Sequence, residues 1–146
     1  MFADFLKRLT MPQPAPLADT DARLALTALL VRVARADNDY AEAEAQMIEQ
    51  IASARYGLGP QDAASLRLDA ETLETEAPDT VRFTRAIKDA VPYDERLGVI
   101  EALWQVVLAD GTRSDEEDAL LRLTASLIGV TDTDSAMARK RVQTPN

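Results

Sequence analysis

The chain has 146 residues, a formal charge of −9 at neutral pH and 47% apolar residues, with neither cysteine nor histidine. That length supports one domain with a hydrophobic core of its own, without covalent staples. The missing cysteine excludes disulfides, thiolate metal sites and cysteine nucleophiles, and the missing histidine removes the commonest general base and transition-metal ligand. Zinc, copper and nickel are poorly served by what remains. Oxygen ligands select hard ions such as magnesium, calcium or manganese.

Alanine and leucine dominate the apolar residues and only five glycines occur, a usage that favours helix over sheet. Residues 37–79 carry eleven of the 25 acidic side chains against two arginines, a surface that repels nucleic acid. Arg139-Lys140-Arg141 is too short a basic run to reverse this. No stretch approaches the roughly 20 apolar residues of a membrane span. Residues 1–9 lack the apolar core and cleavage site of a signal peptide, so the expected compartment is the cytoplasm.

Phe2, Phe5, Leu6 and Leu9 share one helical face, and Pro12, Pro14 and Pro16 follow as a stiff linker. Residues 1–16 therefore read as an amphipathic segment with a Pro-rich linker, ahead of a helical domain over 17–146. The segment docks on the domain or lies loose; a weak membrane-surface contact aided by Lys7 and Arg8 is the alternative. Asp19 or Thr20 caps a helix running to about Ala36, with Leu26, Leu30 and Val33 as its stripe. After Asp37-Asn38-Asp39 a second helix carries Met47, Ile48 and Ile51. Gly57-Leu58-Gly59-Pro60 ends it and opens a third with Leu66, Leu68 and Leu73.

A fourth helix starts near Pro78 and carries Phe83, Ile87 and Val91. The fifth, about 93–109, is apolar nearly all round and belongs in the middle of the core, with Trp104 as packing. Asp110-Gly111 turns into a sixth with Leu120, Leu121, Leu123 and Leu127, which ends at Gly129. Asp134 or Ser135 caps a short last one. The expected fold is an all-α compact bundle of six to eight helices, with residues 97–108 most buried.

Advancing the chain by 73 residues lays Leu30 on Leu103, Val33 on Val106, Asp37 on Asp110 and Glu44 on Glu117. Each half then reads Ala-Asp, six residues, Glu, at a helix–turn–helix junction, which predicts two pseudo-repeated units. Asp37 and Asp110 continue apolar stripes at helix C-termini, where the macrodipole disfavours negative charge. Glu44 begins the stripe of Ile48 and Ile51, and Glu117 that of Leu121 and Ile128. Four carboxylates brought together around a pseudo-twofold would hold a cation or shift their pKa values.

Turn-and-cap structure accounts for the same residues. Ser114 and Glu117 form a capping box, Asp39 with Glu42 can cap the other helix, and the aspartates can make Asx-turns. A cation site and an acidic partner patch stay open beside it. Asp37-Asn38-Asp39 opens like a calcium-binding EF-hand loop, but Glu42 and Ile48 stand where that loop needs glycine and glutamate. No phosphate loop, nucleophile elbow or zinc-protease motif occurs.

The pattern Ala36-Asp37-Asn38-Asp39 through Glu44, and Ala109-Asp110-Gly111 through Glu117 with Leu120-Leu121 and Leu127-Ile128-Gly129-Val130, resembles the tellurite-resistance protein B family. The resemblance spans about residues 19–130. It implies an all-helical domain with an internal pseudo-repeat and an acidic surface associated with divalent cations, in stress and metal-resistance settings. Carried over by position, the metal ligands are Asp37, Glu44, Asp110 and Glu117. Asn38 replaces the usual glycine and Ala41 stands at the expected cap, which weakens the first half of the pattern.

The expected function is a non-enzymatic module that binds a divalent cation, calcium or magnesium, or contacts a protein partner, or does both, with no organic cofactor. Residues 69–79, with Glu71, Glu74 and Glu76, are either a surface for a basic partner or a solvated helix face. The alternative is a metal-dependent phosphoester hydrolase, with Arg35 and Arg113 as phosphate clamps.

Overall fold

A computed structural model describes residues 19–36, 40–76, 84–85, 87–89, 91–109 and 114–143 of the chain. The expected segment and linker over 1–16, and most of the fourth helix near Pro78, lie outside them. Six long helices run in order: α1 (Asp19–Ala34), α2 (Glu42–Tyr56), α3 (Pro60–Glu76), α4 (Tyr93–Val107), α5 (Asp115–Ile128) and α6 (Asp132–Gln143). Residues 84–85 and 87–89 are helical as well, and no strand occurs among the described residues. None of the described helices is long and apolar enough to cross a membrane. The fold is an all-α bundle.

The ends of these helices follow from their residues. Gly57 (φ 65°) closes α2 and Gly129 (φ 91°) closes α5, both in the left-handed region that a Cβ disfavours. Leu58 N–H reaches back to Ser53 O at 3.2 Å, and Val130 N–H to Ala125 O at 2.8 Å, satisfying carbonyls the helices leave over. Helix α6 begins three residues earlier than a cap at Asp134 implies, and four earlier than one at Ser135. Its cap is Thr131, whose Oγ1 accepts the Asp134 N–H at 3.1 Å.

Helices α1 and α4 form the centre. They pack on each other; α1 also packs on α2, α3 and α5, and α4 on α2, α5 and α6. Helix α2 packs on α3 and α5 on α6. Exchanging the first three helices with the last three maps this set of principal pairs onto itself. The starts of α1, α2 and α3, advanced by 73 residues, fall within one residue of those of α4, α5 and α6.

Residues 97–108 are not more buried than α1. Every residue from Ala25 to Val31 in α1 is buried, not only the stripe of Leu26 and Leu30. Ala25 and Ala28 let neighbouring helices approach on the other faces, and the Thr27 hydroxyl donates to Arg23 O at 2.7 Å, which satisfies it inside the helix. Leu29, Leu30, Ile48, Leu73, Ile87, Ile100, Leu103, Leu121 and Ile128 fill the shared core.

Candidate cation site at two helix–turn–helix junctions

Glu44 and Glu117 occupy the same place in their helices. Each is the third residue of a first turn, after Ala41 as N-cap of α2 and Ser114 as N-cap of α5. One turn further along the same face lie Ile48 and Leu121, and beyond them Ala52 and Ala125, all buried. That spacing carries both glutamates inward with the core residues, leaving them 1% and 2% exposed. Few carboxylates are so enclosed, because taking a charge out of water is costly unless partners compensate.

Different atoms hold the two side chains. Glu44 Oε1 accepts the Ala41 N–H at 3.1 Å, so the side chain reaches back over its own helix start. Ala41 has no side-chain oxygen to return the bond, and the Glu44 N–H instead donates to the Ala41 backbone carbonyl at 3.1 Å. In α5 Ser114 supplies that oxygen: its Oγ accepts the Glu117 N–H at 3.0 Å, and its hydroxyl lies 3.0 Å from Glu117 Oε1. The capping residue of α2 is thus Ala41 with Glu44 as the reciprocal group; Glu42, expected to cap with Asp39, is an exposed first residue. The helix N-terminus favours a carboxylate in both places.

Asp37, Asp39, Asp110 and Arg113 lie outside the described residues. Among the described residues no three acidic side chains converge to hold a metal ion. A chelate at either junction would therefore have to add Asp37 or Asp110, or backbone carbonyls of the turns, to Glu44 or Glu117. The donor set is all oxygen, which suits calcium or magnesium.

The return from the first turn is tied to α3 by a charged network. Tyr40 OH donates to Glu71 Oε2 at 2.8 Å, Arg67 pairs with the same carboxylate, and Arg67 Nε meets Glu49 Oε2 at 2.6 Å. Arg35 Nη1 lies 2.8 Å from Glu74 Oε2, and Arg32 Nε lies 3.5 Å from Glu74 Oε1. The Arg35 guanidinium sits 5.3 Å from the centre of the Tyr40 ring. Glu71 and Glu74 of the acidic stretch thus face inward onto arginines, while Asp69 and Glu76 are exposed. Burial, together with the Glu71 carboxylate that accepts its proton, pushes the Tyr40 phenol well above the ordinary tyrosine range. Burial also raises Tyr56.

No curated protein and no solved structure matches the chain. A family model does: that of tellurite resistance protein TerB matches residues 23–140, from early in α1 to near the end of α6. With most of its length matched and its helices forming an all-α bundle, the chain belongs to the TerB family.

Proposed function

We propose that this TerB-family chain is a non-enzymatic module that binds a hard divalent cation, calcium or magnesium, at its two helix–turn–helix junctions. Asp37 with Glu44, and Asp110 with Glu117, are the ligands of this reading. The observation that carries it is the enclosure of Glu44 and Glu117 at matching first turns, each seven residues after an aspartate. Capping does not call for burial, since an exposed glutamate caps as well, and burying two carboxylates at corresponding places is costly. We read the two helix triplets as an internal repeat, supported by their 73-residue offset and interchangeable packing. The ion would tie each turn to the helix that follows it, and the acidic cytoplasmic module would meet a protein partner in a tellurite or metal-stress setting.

Thermal unfolding of metal-stripped protein against added calcium, magnesium and manganese tests this. Ligand at a hundredfold excess over its dissociation constant stabilises by about 2.7 kcal/mol. The expected result is a rise in melting temperature with millimolar ion, reduced in Asp110→Asn and Glu117→Gln. A melting temperature indifferent to ion, or rising equally in both variants, leaves these carboxylates as turn and cap structure.

A further inference from the structure

A cavity of about 200 Å³ opens between α4, α5 and α6, lined by Trp104, Asp118, Arg122, Asp132, Ser135 and Arg139. Its size is below the roughly 300–1,000 Å³ of drug-sized sites, so it fits a small ligand. The indole of Trp104 is fixed: its Nε1 donates to Ser135 Oγ at 3.1 Å, and the Arg139 guanidinium lies over the ring at 5.5 Å. Arg139 Nε is shielded from solvent and has no acceptor among the described residues. Arg122 and Asp132 make no ion pair among them either.

We propose that this cavity binds a small zwitterion of the α-amino-acid class. The two arginines offer a carboxylate a pair of cationic donors, one of them a buried N–H in need of an acceptor. Asp132 offers an ammonium group its counter-charge. Each wall supplies one acid and one arginine: Asp118 and Arg122 from α5, Asp132 and Arg139 from α6. The lining is neutral as a whole, so a plain anion or a plain cation meets as much repulsion as attraction, while a zwitterion satisfies both signs. The indole gives an apolar face to the ligand's carbon atoms. Nothing in this arrangement draws on Glu44, Glu117 or the two turns.

Trp104 is the chain's single tryptophan, so its emission and its indole N–H resonance report from this cavity alone. The experiment titrates a panel of free L-amino acids into the intact chain, with acetate and methylamine as controls carrying one charge each. The expected result is a saturable change in Trp104 emission with at least one amino acid at millimolar concentration, and none with either control. Arg122 and Asp132 are exposed, so Arg122→Gln and Asp132→Asn should keep the fold, which a melting curve verifies. Each should weaken binding by roughly tenfold, about 1.4 kcal/mol. Absence of any saturable change, binding of acetate as strongly as of amino acids, or indifference to either variant would overturn the proposal.

Discussion

The hydroxyl oxygen of Ser114 stands 3.0 Å from both the backbone nitrogen and the Oε1 atom of Glu117, closing the first turn of α5 on itself. The matching turn of α2 has half of this, because Ala41 leaves the Glu44 N–H without a side-chain oxygen. Ala41 already has the extended backbone of a cap (φ −69°, ψ 151°), so a serine there needs no rearrangement. Ala41→Ser should therefore stabilise the chain by about 1 kcal/mol and Ser114→Ala should destabilise it by a similar amount. Urea unfolding of the two variants and of the double exchange measures this. Destabilisation by Ala41→Ser would show that the two turns are built on different geometry.

Tyr40 gives a pH dependence with a defined sign. Its phenol is protonated in both folded and unfolded chain at neutral pH, and the stability it contributes is fully present there. Above the ordinary tyrosine value of about 10 the unfolded chain ionises while the folded one resists, so stability is lost as pH rises further. Urea midpoints measured at successive alkaline pH values should fall beyond that point. Tyr40→Phe should cost about 1.5 kcal/mol at neutral pH through the lost bond to Glu71, and should make the alkaline fall shallower. An alkaline fall unchanged in Tyr40→Phe would assign it to Tyr56 or to other groups.

Cation binding at the two junctions has the opposite sense. Protons compete with the ion for the same carboxylate oxygens, so affinity should fall as the pH is brought down from about 8 to about 5. Calorimetry in buffers of different ionisation enthalpy should detect protons released on binding. The second junction, with Asp110-Gly111 and Ser114 at its cap, should contribute more than the first. A larger loss from Glu44→Gln than from Glu117→Gln would reverse that order.

Much of the fold was legible because apolar spacing and punctuation agreed. Pro60 opens α3, Gly57 and Gly129 end α2 and α5, and Ser114 caps α5 as its spacing with Glu117 predicts. Where signals competed, the reading faltered. Residues 131–135 offer Thr, Asp, Thr, Asp and Ser in succession, any of which can cap, and nothing apolar decides among them. The burial of α1 on all sides was hidden because its alanines and Thr27 carry little hydrophobic weight, yet allow close approach. Arg139 read only as part of a basic run; its place over Trp104 depends on how α6 crosses α4, which no local spacing records. The inward turn of Glu74 was equally invisible, since its partners Arg32 and Arg35 lie about 40 residues earlier, whereas Glu71 pairs with Arg67 one turn back on the same face of α3.

The interchangeable packing of the two helix triplets bears on how the chain could be cut. Helix α1 is closed in by α5 as well as by its own α2 and α3, and α4 by α2 as well as by α5 and α6. Each triplet alone would leave the flank of its central helix open to water, with Leu29, Leu30, Ile100 or Leu103 behind it. Two fragments severed between α3 and α4, expressed apart, should each be poorly structured and should recover helical signal on mixing. A copy of one fragment standing in for the other would produce a homodimer in place of the single chain, which sedimentation of the isolated fragments would reveal.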